Sequence, residues 1–504
     1  MVSDSNRPAQ PPRTPLATVA AWAGAELRGN PAGLEVSGIS LSSQRIRPGD
    51  LYAALPGSRA HGIEFAQDAL AAGAVAVFTD EAGADRGPAG APHLVVDRPR
   101  AVLGRLSARI YGEPAASMRM VGVTGTQGKT TTTRLLEAGL QQAGVPAAVV
   151  GTVGTRIAGE EVRSSLTTPE APDLHALFAV MRERDVRACA MEVSSHALVM
   201  GRVDGVVFDV AVFLNLGRDH LDFHRDLEDY YAAKASLFTP ERARFALVNV
   251  DDAHGRRLAE EATVPVRTFS MGRGDDAQRA DWRAVDVRLR ATGSEFVVVA
   301  PDGRRIPAGC ALPGDFNVAN TLAAVAAAAE AGLDPAVVAA GIAAAGGVPG
   351  RLERVDAGQD FLVVVDYAHK PDAVEAAIRT LRPLTEGRVI VVLGAGGDRD
   401  PGKRPIMAGI AARLADLLVV TDDNPRTEDP AAIRAAMLAG VVTGQAIEVG
   451  GRRAAIREAL RRAGPGDIVL IAGKGHETGQ EVDGVVHPFD DREVVREEIV
   501  ACSR

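Results

Sequence analysis

The chain has 504 residues, 46% hydrophobic and 24% charged, and Asp plus Glu outnumber Lys plus Arg by 65 to 56, for a formal charge of −9. At roughly 100 to 200 residues per domain this predicts about three folded domains, and the apolar content excludes a disordered protein. The negative balance argues against a generic nucleic-acid or anionic-membrane binder, although a local basic pocket for phosphate remains open.

Cys189, Cys310 and Cys502 are too few and too scattered for a disulfide framework or a Cys-based zinc site. No apolar run reaches the roughly 18 residues of a membrane span. Met1 to Pro15, rich in Ser, Pro and Arg, lacks the apolar centre of a signal peptide. A cytoplasmic protein with a disordered tail over 1–15 is expected.

β-branched runs then alternate with Ala/Leu-rich stretches, the pattern of α/β domains with largely parallel sheets. The first domain is expected over 16–116. It has a hairpin-like stretch from Val36 to Leu55 around the turn Pro48-Gly49-Asp50, then strands at Ala74 to Phe78 and His93 to Asp97. The second, over 117–346, opens with an apolar strand at Met118 to Val123 and continues through strands at Ala188 to Val193, Val206 to Leu214 and Phe245 to Val250. It closes with an Ala-rich helix near Asn317 to Ala331. The Gly346-Gly347-Val348-Pro349-Gly350 cluster reads as a linker, because neither helix nor strand tolerates that density of Gly and Pro. The third domain, over 347–504, alternates strands at Phe361 to Val365, Arg388 to Leu393, Leu417 to Val420 and Asp467 to Ala472 with helices, as in a doubly wound, Rossmann-like sheet.

The strongest local signal is Val121-Gly-Val-Thr-Gly-Thr-Gln-Gly-Lys-Thr-Thr131. A strand ends in a glycine-containing loop, and Lys129-Thr130 open a helix. Backbone N–H groups and the helix N-terminus then face one point, where they can hold phosphate oxygens. Lys129 would add a charge on the β/γ-phosphates, and the Thr130 hydroxyl could ligate Mg²⁺. The spacing departs from the usual phosphate loop, since Gly125 lies two residues before Gly128 and Gly122 one residue too far away. ATP is the expected ligand, through Gly125, Thr126, Gln127, Gly128, Lys129, Thr130 and Thr131.

Other candidates are ambiguous on the residues alone. Glu192, at the end of an apolar run and followed by Ser-Ser-His, serves equally as a metal ligand or in a capped turn. Asp219, His220, Asp222 and His224 form a dense cluster that does not say which residue ligates. Lys234, in a helical stretch, reads as a solvated surface lysine. Asn424-Pro425-Arg426 reads as an Asx-Pro turn with an exposed arginine.

The variant loop and five further blocks, in order, resemble the Mur ligase family: Met191-Glu-Val-Ser-Ser-His196, Asn215-Leu-Gly-Arg-Asp-His220, Leu312-Pro-Gly-Asp-Phe-Asn317 with Asn320, Gly350-Arg351-Leu-Glu353 and Asp366-Tyr-Ala-His369. Asp423-Asn-Pro-Arg426 and Ala472-Gly-Lys-Gly-His-Glu477 narrow the resemblance to members that add diaminopimelate to UDP-N-acetylmuramoyl-L-alanyl-D-glutamate in peptidoglycan precursor synthesis. The resemblance implies an N-terminal uridine-binding domain, a central P-loop ATPase-like domain and a C-terminal Rossmann-like domain that binds the amino acid. It also implies a two-step reaction: ATP phosphorylates the terminal carboxylate of the nucleotide-linked dipeptide, and an amine displaces phosphate from the acyl phosphate.

By the same resemblance Thr130 and Glu192 ligate a first Mg²⁺. His220 holds a second, together with Lys234 carrying a CO₂-derived carbamate (N6-carboxylysine). Asn317 and Asn320 recognise adenine, while Arg351 and Asp366 reach phosphate and ribose across a hinge near Gly346. Leu41, Ser43, Ser58, Arg59 and Ala60 take the uridine side. Thr167, Thr168, Ser194 and Arg202 take the muramoyl-dipeptide and diphosphate. Arg399, Asp423, Asn424, Pro425, Arg426, Gly473 and Glu477 form the diaminopimelate pocket. Two departures are Met200, where the family often has Gln, and Lys370, where many relatives have Thr. A monomer without nucleic-acid or membrane partners is expected. Competing readings are a lysine-adding ligase of the same type, a folylpolyglutamate synthetase, and a nucleotide-binding regulator that has lost catalysis.

Overall fold

A computed structural model describes residues 6–57, 60–162, 166–272, 279–290 and 292–502. Ser58 and Arg59, assigned above to the uridine side, lie outside the described residues. Contacts divide the chain into two units: Met1–Val285 with Val298–Ile306 and Asn320–Ile342, and Asp286–Val297 with Pro307–Ala319 and Ala343–Arg504.

Beside a two-stranded pairing near its start, the first unit holds strands of two larger sheets. The smaller runs, in spatial order, through Glu26–Arg28, His93–Val95, Ala76–Thr79, Asp50–Ala53 and Gly38–Ser40. All neighbours are parallel except the edge strand Glu26–Arg28. The hairpin expected from Val36 to Leu55 is therefore wrong: Ile39 pairs with Leu51 in a parallel register, and a 3₁₀ turn at Ser43–Arg45 carries the chain between the strands. Every residue of both strands is buried, which suits a parallel sheet covered on both faces. The 1–15 tail also departs from expectation. From Asn6 onward it is docked: Arg7 pairs with buried Asp50, Ala9 and Gln10 donate backbone N–H groups to Glu183 at 2.9 and 2.8 Å, and Thr14–Pro15 pairs with Glu35–Val36.

The larger sheet places Glu160–Val162, Gly154–Ile157, Ala147–Gly151, Ala188–Glu192, Arg119–Thr124, Val210–Phe213, Ala246–Asn249 and Val266–Ser270 side by side. From Ala147–Gly151 to Val266–Ser270 all pairings are parallel; the first two strands form an antiparallel meander. Arg119–Thr124, first of the parallel set in sequence, has Ala188–Glu192 on one side and Val210–Phe213 on the other. Strand order reverses there, and ligands bind beyond the carboxyl ends of strands at such a point. The phosphate loop, Glu192 and Asn215 all follow those three strands.

The second unit holds a six-stranded sheet in the order Glu353–Val355, Leu362–Asp366, Ile468–Ala472, Val389–Ala395, Leu417–Asp422 and Ala446–Glu448. It is parallel apart from the first pair. Its central strands are nearly continuous Val, Ile and Leu, buried on both faces. The expected Rossmann-like domain is present, and Asp366, Gly396, Asp423 and Gly473 all emerge from carboxyl ends of strands.

Candidate active site

The phosphate loop is built on two left-handed glycines. Gly125 has φ of 153° and Gly128, the residue capping helix Lys129–Gln142, has φ of 87°. A side chain at 128 would also run into Asn320, whose Oδ1 lies 2.4 Å from where a Cβ would stand. Glycine is required there by conformation and by space. Asn320 thereby sits against the loop that was expected to carry ATP, and Thr132 donates its hydroxyl to Asn320 Oδ1 at 3.4 Å.

Asn215, which sequence reading quoted only as part of a block, templates the loop. Its side-chain oxygen accepts from the N–H groups of Thr126 and Gln127 at 3.2 and 2.9 Å, and its Nδ2 donates to Gln127 O at 3.1 Å. Gly217 N donates to Thr126 Oγ1 at 2.9 Å. These bonds fix the loop's shape from within the chain, and a fixed loop costs less to order around phosphate.

Two lysines meet at one carbonyl. Lys129 Nζ donates to Gly125 O at 2.9 Å and Thr126 O at 3.1 Å. Lys234 Nζ, from helix Leu227–Ala235, donates to the same Gly125 O at 2.8 Å and lies 4.5 Å from the Tyr230 ring centroid. Lys234 is 1% exposed, so the solvated surface lysine suggested by its residue type alone is excluded. Burial, then the like charge of Lys129, push its amine well below the usual range, against the pull of Asp219.

Glu192 is buried at the end of its strand and oriented by a residue that sequence reading missed. Thr152 donates its N–H to Oε1 at 2.7 Å and its hydroxyl to Oε2 at 3.0 Å. Thr152 Oγ1 also lies 3.1 Å from Thr167 Oγ1, and Thr168 donates to the Glu192 backbone carbonyl at 2.9 Å. Thr168, assigned to the dipeptide, therefore stands directly against Glu192, assigned to the metal, and Thr167 reaches it through Thr152. Ser194 caps helix Ser195–Val199 through the Ala197 N–H at 3.2 Å. Arg202 pairs with Glu170 at 2.8 Å, and Arg100 pairs with Glu170 at 3.1 Å, a bridge with no sequence signal.

The acidic–histidine cluster separates into roles. His224 is buried and engaged by Ser195 Oγ at 2.9 Å and Asp229 Oδ2 at 3.3 Å, so it is a packing residue. His220 has a left-handed backbone (φ 54°), a strained conformation of the kind that collects at functional sites. Asp219 accepts its N–H at 2.9 Å, and the His196 ring is 4.9 Å away edge-on. Among the described residues no three His, Cys, Asp or Glu side chains converge to hold a metal. On the uridine side, Leu41 packs against the first-domain core, Ser43 begins the 3₁₀ turn Ser43–Arg45, and Ala60 accepts the Gly57 N–H at 3.1 Å.

In the second unit three separated motifs meet. Gly350 has φ of 65°, and a Cβ there would lie 2.2 Å from His476 N; one at Gly475 would lie 2.7 Å from Tyr367 Cβ. The Arg351 guanidinium lies 5.1 Å from the Tyr367 ring centroid. Asp366 accepts the N–H groups of Leu352 and Ala368 at 2.7 and 2.8 Å; burial raises its carboxyl pKa against the opposing pull of Arg351 and these bonds. Asn317, in the first turn of helix Asp315–Glu330, donates its side-chain amide to Pro313 O at 2.8 Å.

The pocket assigned to diaminopimelate has a tight centre and a looser rim. Asn424 donates to Glu477 Oε2 at 3.0 Å, and Gly473 (φ 119°) leaves room for Asp423. Pro425 is buried, and Arg426 has φ of 53°. The guanidinium donates to Gly397 O at 2.7 Å and pairs with Glu481 at 3.2 Å, while Arg426 N donates to Glu481 O at 3.1 Å. The solvated arginine of a bare Asx-Pro turn is excluded by these contacts. Arg399 is exposed, in the segment after Val389–Ala395.

A pre-shaped phosphate loop with paired lysines at a strand switch point, joined in one chain to a Rossmann-like domain, defines a nucleotide-dependent enzyme of the ligase type. Three stretches match families described as Mur ligase family, catalytic domain (residues 35–111), Mur ligase middle domain (123–328) and Mur ligase, glutamate ligase domain (350–475). The chain is 57% identical over 500 residues to the UDP-N-acetylmuramoyl-L-alanyl-D-glutamate--2,6-diaminopimelate ligase of Streptomyces avermitilis, with 98% of each chain covered. A solved structure of an enzyme of that name superposes with a TM-score of 0.68 at 35% identity, covering 93% of this chain and 96% of the other. A Mycobacterium tuberculosis folylpolyglutamate synthase shares the fold alone, with a TM-score of 0.59 at 19% identity over 73% of this chain and 90% of that one. The chain belongs to the Mur ligase family, whose members are ATP-dependent ligases that use Mg²⁺. Among the described residues no helix is long and apolar enough to cross a membrane.

Lys129→Ala should lower turnover by on the order of 10²-fold or more, since a positioned cation is lost where phosphate charge develops. Steady-state phosphate release measures it, and rates near the parent's would contradict the role given to the loop.

Proposed function

We propose that the chain joins diaminopimelate to UDP-N-acetylmuramoyl-L-alanyl-D-glutamate at the expense of ATP, in the cytoplasm and as a monomer, as a step of peptidoglycan precursor synthesis. The observation that carries this reading is the end-to-end match to diaminopimelate ligases, 57% identical over 98% of both chains. The geometry at the phosphate loop, Glu192 and Lys234 supports it.

In the first step a carboxylate oxygen of the dipeptide attacks the γ-phosphorus and ADP leaves. Both reactants are anions, so cations must gather where they meet. Lys129 is the cation of the loop, and Gly128 to Thr131, at the start of helix Lys129–Gln142, offer backbone N–H groups to the phosphates. Thr167, Thr168, Ser194 and Arg202 orient the dipeptide beside Glu192, with Arg202 held in place by Glu170. In the second step the substrate amine attacks the acyl carbon, loses a proton, and phosphate departs. Asn317, Asn320, Arg351 and Asp366 are assigned to the nucleotide, and Leu41, Ser43, Ser58, Arg59 and Ala60 to the uridine side.

The residues present suit two Mg²⁺ ions. Thr130 and Glu192 supply hard oxygens for one. His220 and Lys234 would serve the other once Lys234 carries a carbamate, and burial beside Lys129 disfavours the ammonium form, which has no lone pair with which to attack CO₂. Bound there, Mg²⁺ would neutralise charge on the phosphates and the attacking carboxylate. Lys234→Ala should be nearly inactive yet folded, with partial rescue by acetate. A carbon-13 NMR carbamate signal that appears with labelled bicarbonate in the parent and not in the variant checks the chemistry, and its absence from the active, Mg²⁺-loaded parent would contradict it.

Diaminopimelate and lysine differ at the far end, where only the former has a carboxylate. Arg426 is the planar, permanently charged donor suited to it, Arg399 is assigned to the other carboxylate and Glu477 to the distal amine. With lysine bound, Arg426 would face no substrate anion. We expect kcat/KM to favour diaminopimelate by at least about 10³-fold, and Arg426→Ala to erase most of that preference. Equal use of lysine by the parent enzyme would favour the lysine-adding reading instead.

A further inference from the structure

We infer that Lys474 is a positioning residue for the amino-acid substrate, one that fixes the Asn424 amide and the Glu477 carboxylate in the orientation the pocket uses. The inference rests on the assignment of Asn424 and Glu477 to diaminopimelate and adds a residue to which that assignment gave no role.

Lys474 is fully buried. Lysine is almost never so placed unless its ammonium is paired, because removing that charge from water is costly. Here the partners are the pocket itself. Lys474 Nζ donates to Asn424 Oδ1 at 3.0 Å and to Glu477 Oε2 at 3.0 Å, with Asp423 Oδ1 at 3.7 Å. Asn424 Nδ2 closes the triangle onto Glu477 Oε2 at 3.0 Å.

This network leaves the amide one way round. Asn424 Oδ1 takes two donors, Lys474 Nζ and the Glu481 N–H, the latter at 3.0 Å. Turning the amide over would point NH₂ at both donors and oxygen at a carboxylate. Among the described residues the hydrogen bonds to the Glu477 carboxylate fall on Oε2, which leaves Oε1 to accept from the substrate amine. The backbone enforces the approach: Gly473 (φ 119°) turns the chain directly after strand Ile468–Ala472, and a Cβ there would lie 3.0 Å from Asp423 Oδ2. Lys474 therefore acts through Asn424 and Glu477, and its ammonium offsets two carboxylates that would otherwise face the pocket together.

The test is a KM-against-kcat comparison on the full-length enzyme. Lys474→Met, which keeps length and removes charge, should raise KM for diaminopimelate by about tenfold or more, the loss of charge-assisted bonds. KM for ATP and for the nucleotide dipeptide should stay within about twofold, a split that general loss of structure would not give. Combined with Glu477→Gln, the effects on KM should not multiply, since both changes break one network. Should Lys474→Met not yield folded protein, Lys474→Arg is measured in its place: it keeps the charge but cannot reproduce the triangle, so the same selective rise is expected. An unchanged KM for diaminopimelate in a folded variant, or strictly multiplying effects, overturns the inference. If Glu477→Gln alone leaves that KM unchanged, it is the pocket assignment that fails; if Glu477→Gln raises it and Lys474→Met does not, only the role of Lys474 fails.

Discussion

The backbone carbonyl of Gly125 accepts from two ammonium groups at once, Lys129 at 2.9 Å and Lys234 at 2.8 Å. Two like charges on one acceptor are costly, and the cost is unequal, because Lys234 is buried and its amine is driven toward the neutral form. The two amines on one carbonyl thus divide by environment, Lys129 part-buried in the loop and Lys234 fully enclosed. That division depends on the loop holding Gly125 in a conformation open only to glycine (φ 153°) and on Asn215 pinning the two residues after it.

The rest of the first unit is arranged around this point. Strand order reverses at Arg119–Thr124, so three carboxyl strand ends deliver the loop, Glu192 and Asn215 to one place. Gly151 continues the logic, since a Cβ there would lie 2.2 Å from Glu192 Oε1; a bare backbone lets the carboxylate lie flat against the neighbouring strand and be oriented by Thr152. The second unit repeats the device with Gly473 and Asp423. In both, glycine at a strand end makes space for a carboxylate.

Much of this could be read from the sequence, for identifiable reasons. The central strands of the second unit are nearly continuous Val, Ile and Leu runs, and the loop is a short contiguous motif, so both announce themselves. The hairpin expected from Val36 to Leu55 failed because a tight Pro-Gly-Asp turn looks the same whether the flanking strands pair antiparallel or lie parallel. The 1–15 tail was misjudged because its anchors, Asp50 and Glu183, are far away in sequence. Trp282–Arg290, Gly293–Val299 and Arg305–Cys310 were missed as strands, since Arg and Asp interrupt the first, Ser and Glu the second, and Pro and Gly the third. Thr152, Glu170 and Lys474 act on residues distant in the chain or, like Lys474, lie inside a motif whose composition does not say which member faces the pocket. Lys234 is the sharpest case: its residue type and helix pointed to the surface, and only the resemblance to relatives pointed inward.

The proposed function turns on activation of the dipeptide carboxylate by ATP, as an acyl phosphate, before the amine attacks. Turnover of nucleotide dipeptide labelled with heavy oxygen in its terminal carboxylate, followed by mass analysis of the released phosphate, tests it directly. One labelled oxygen is expected in the inorganic phosphate for each amide formed, because the attacking carboxylate oxygen leaves with phosphorus. Amide formation with unlabelled phosphate would contradict it.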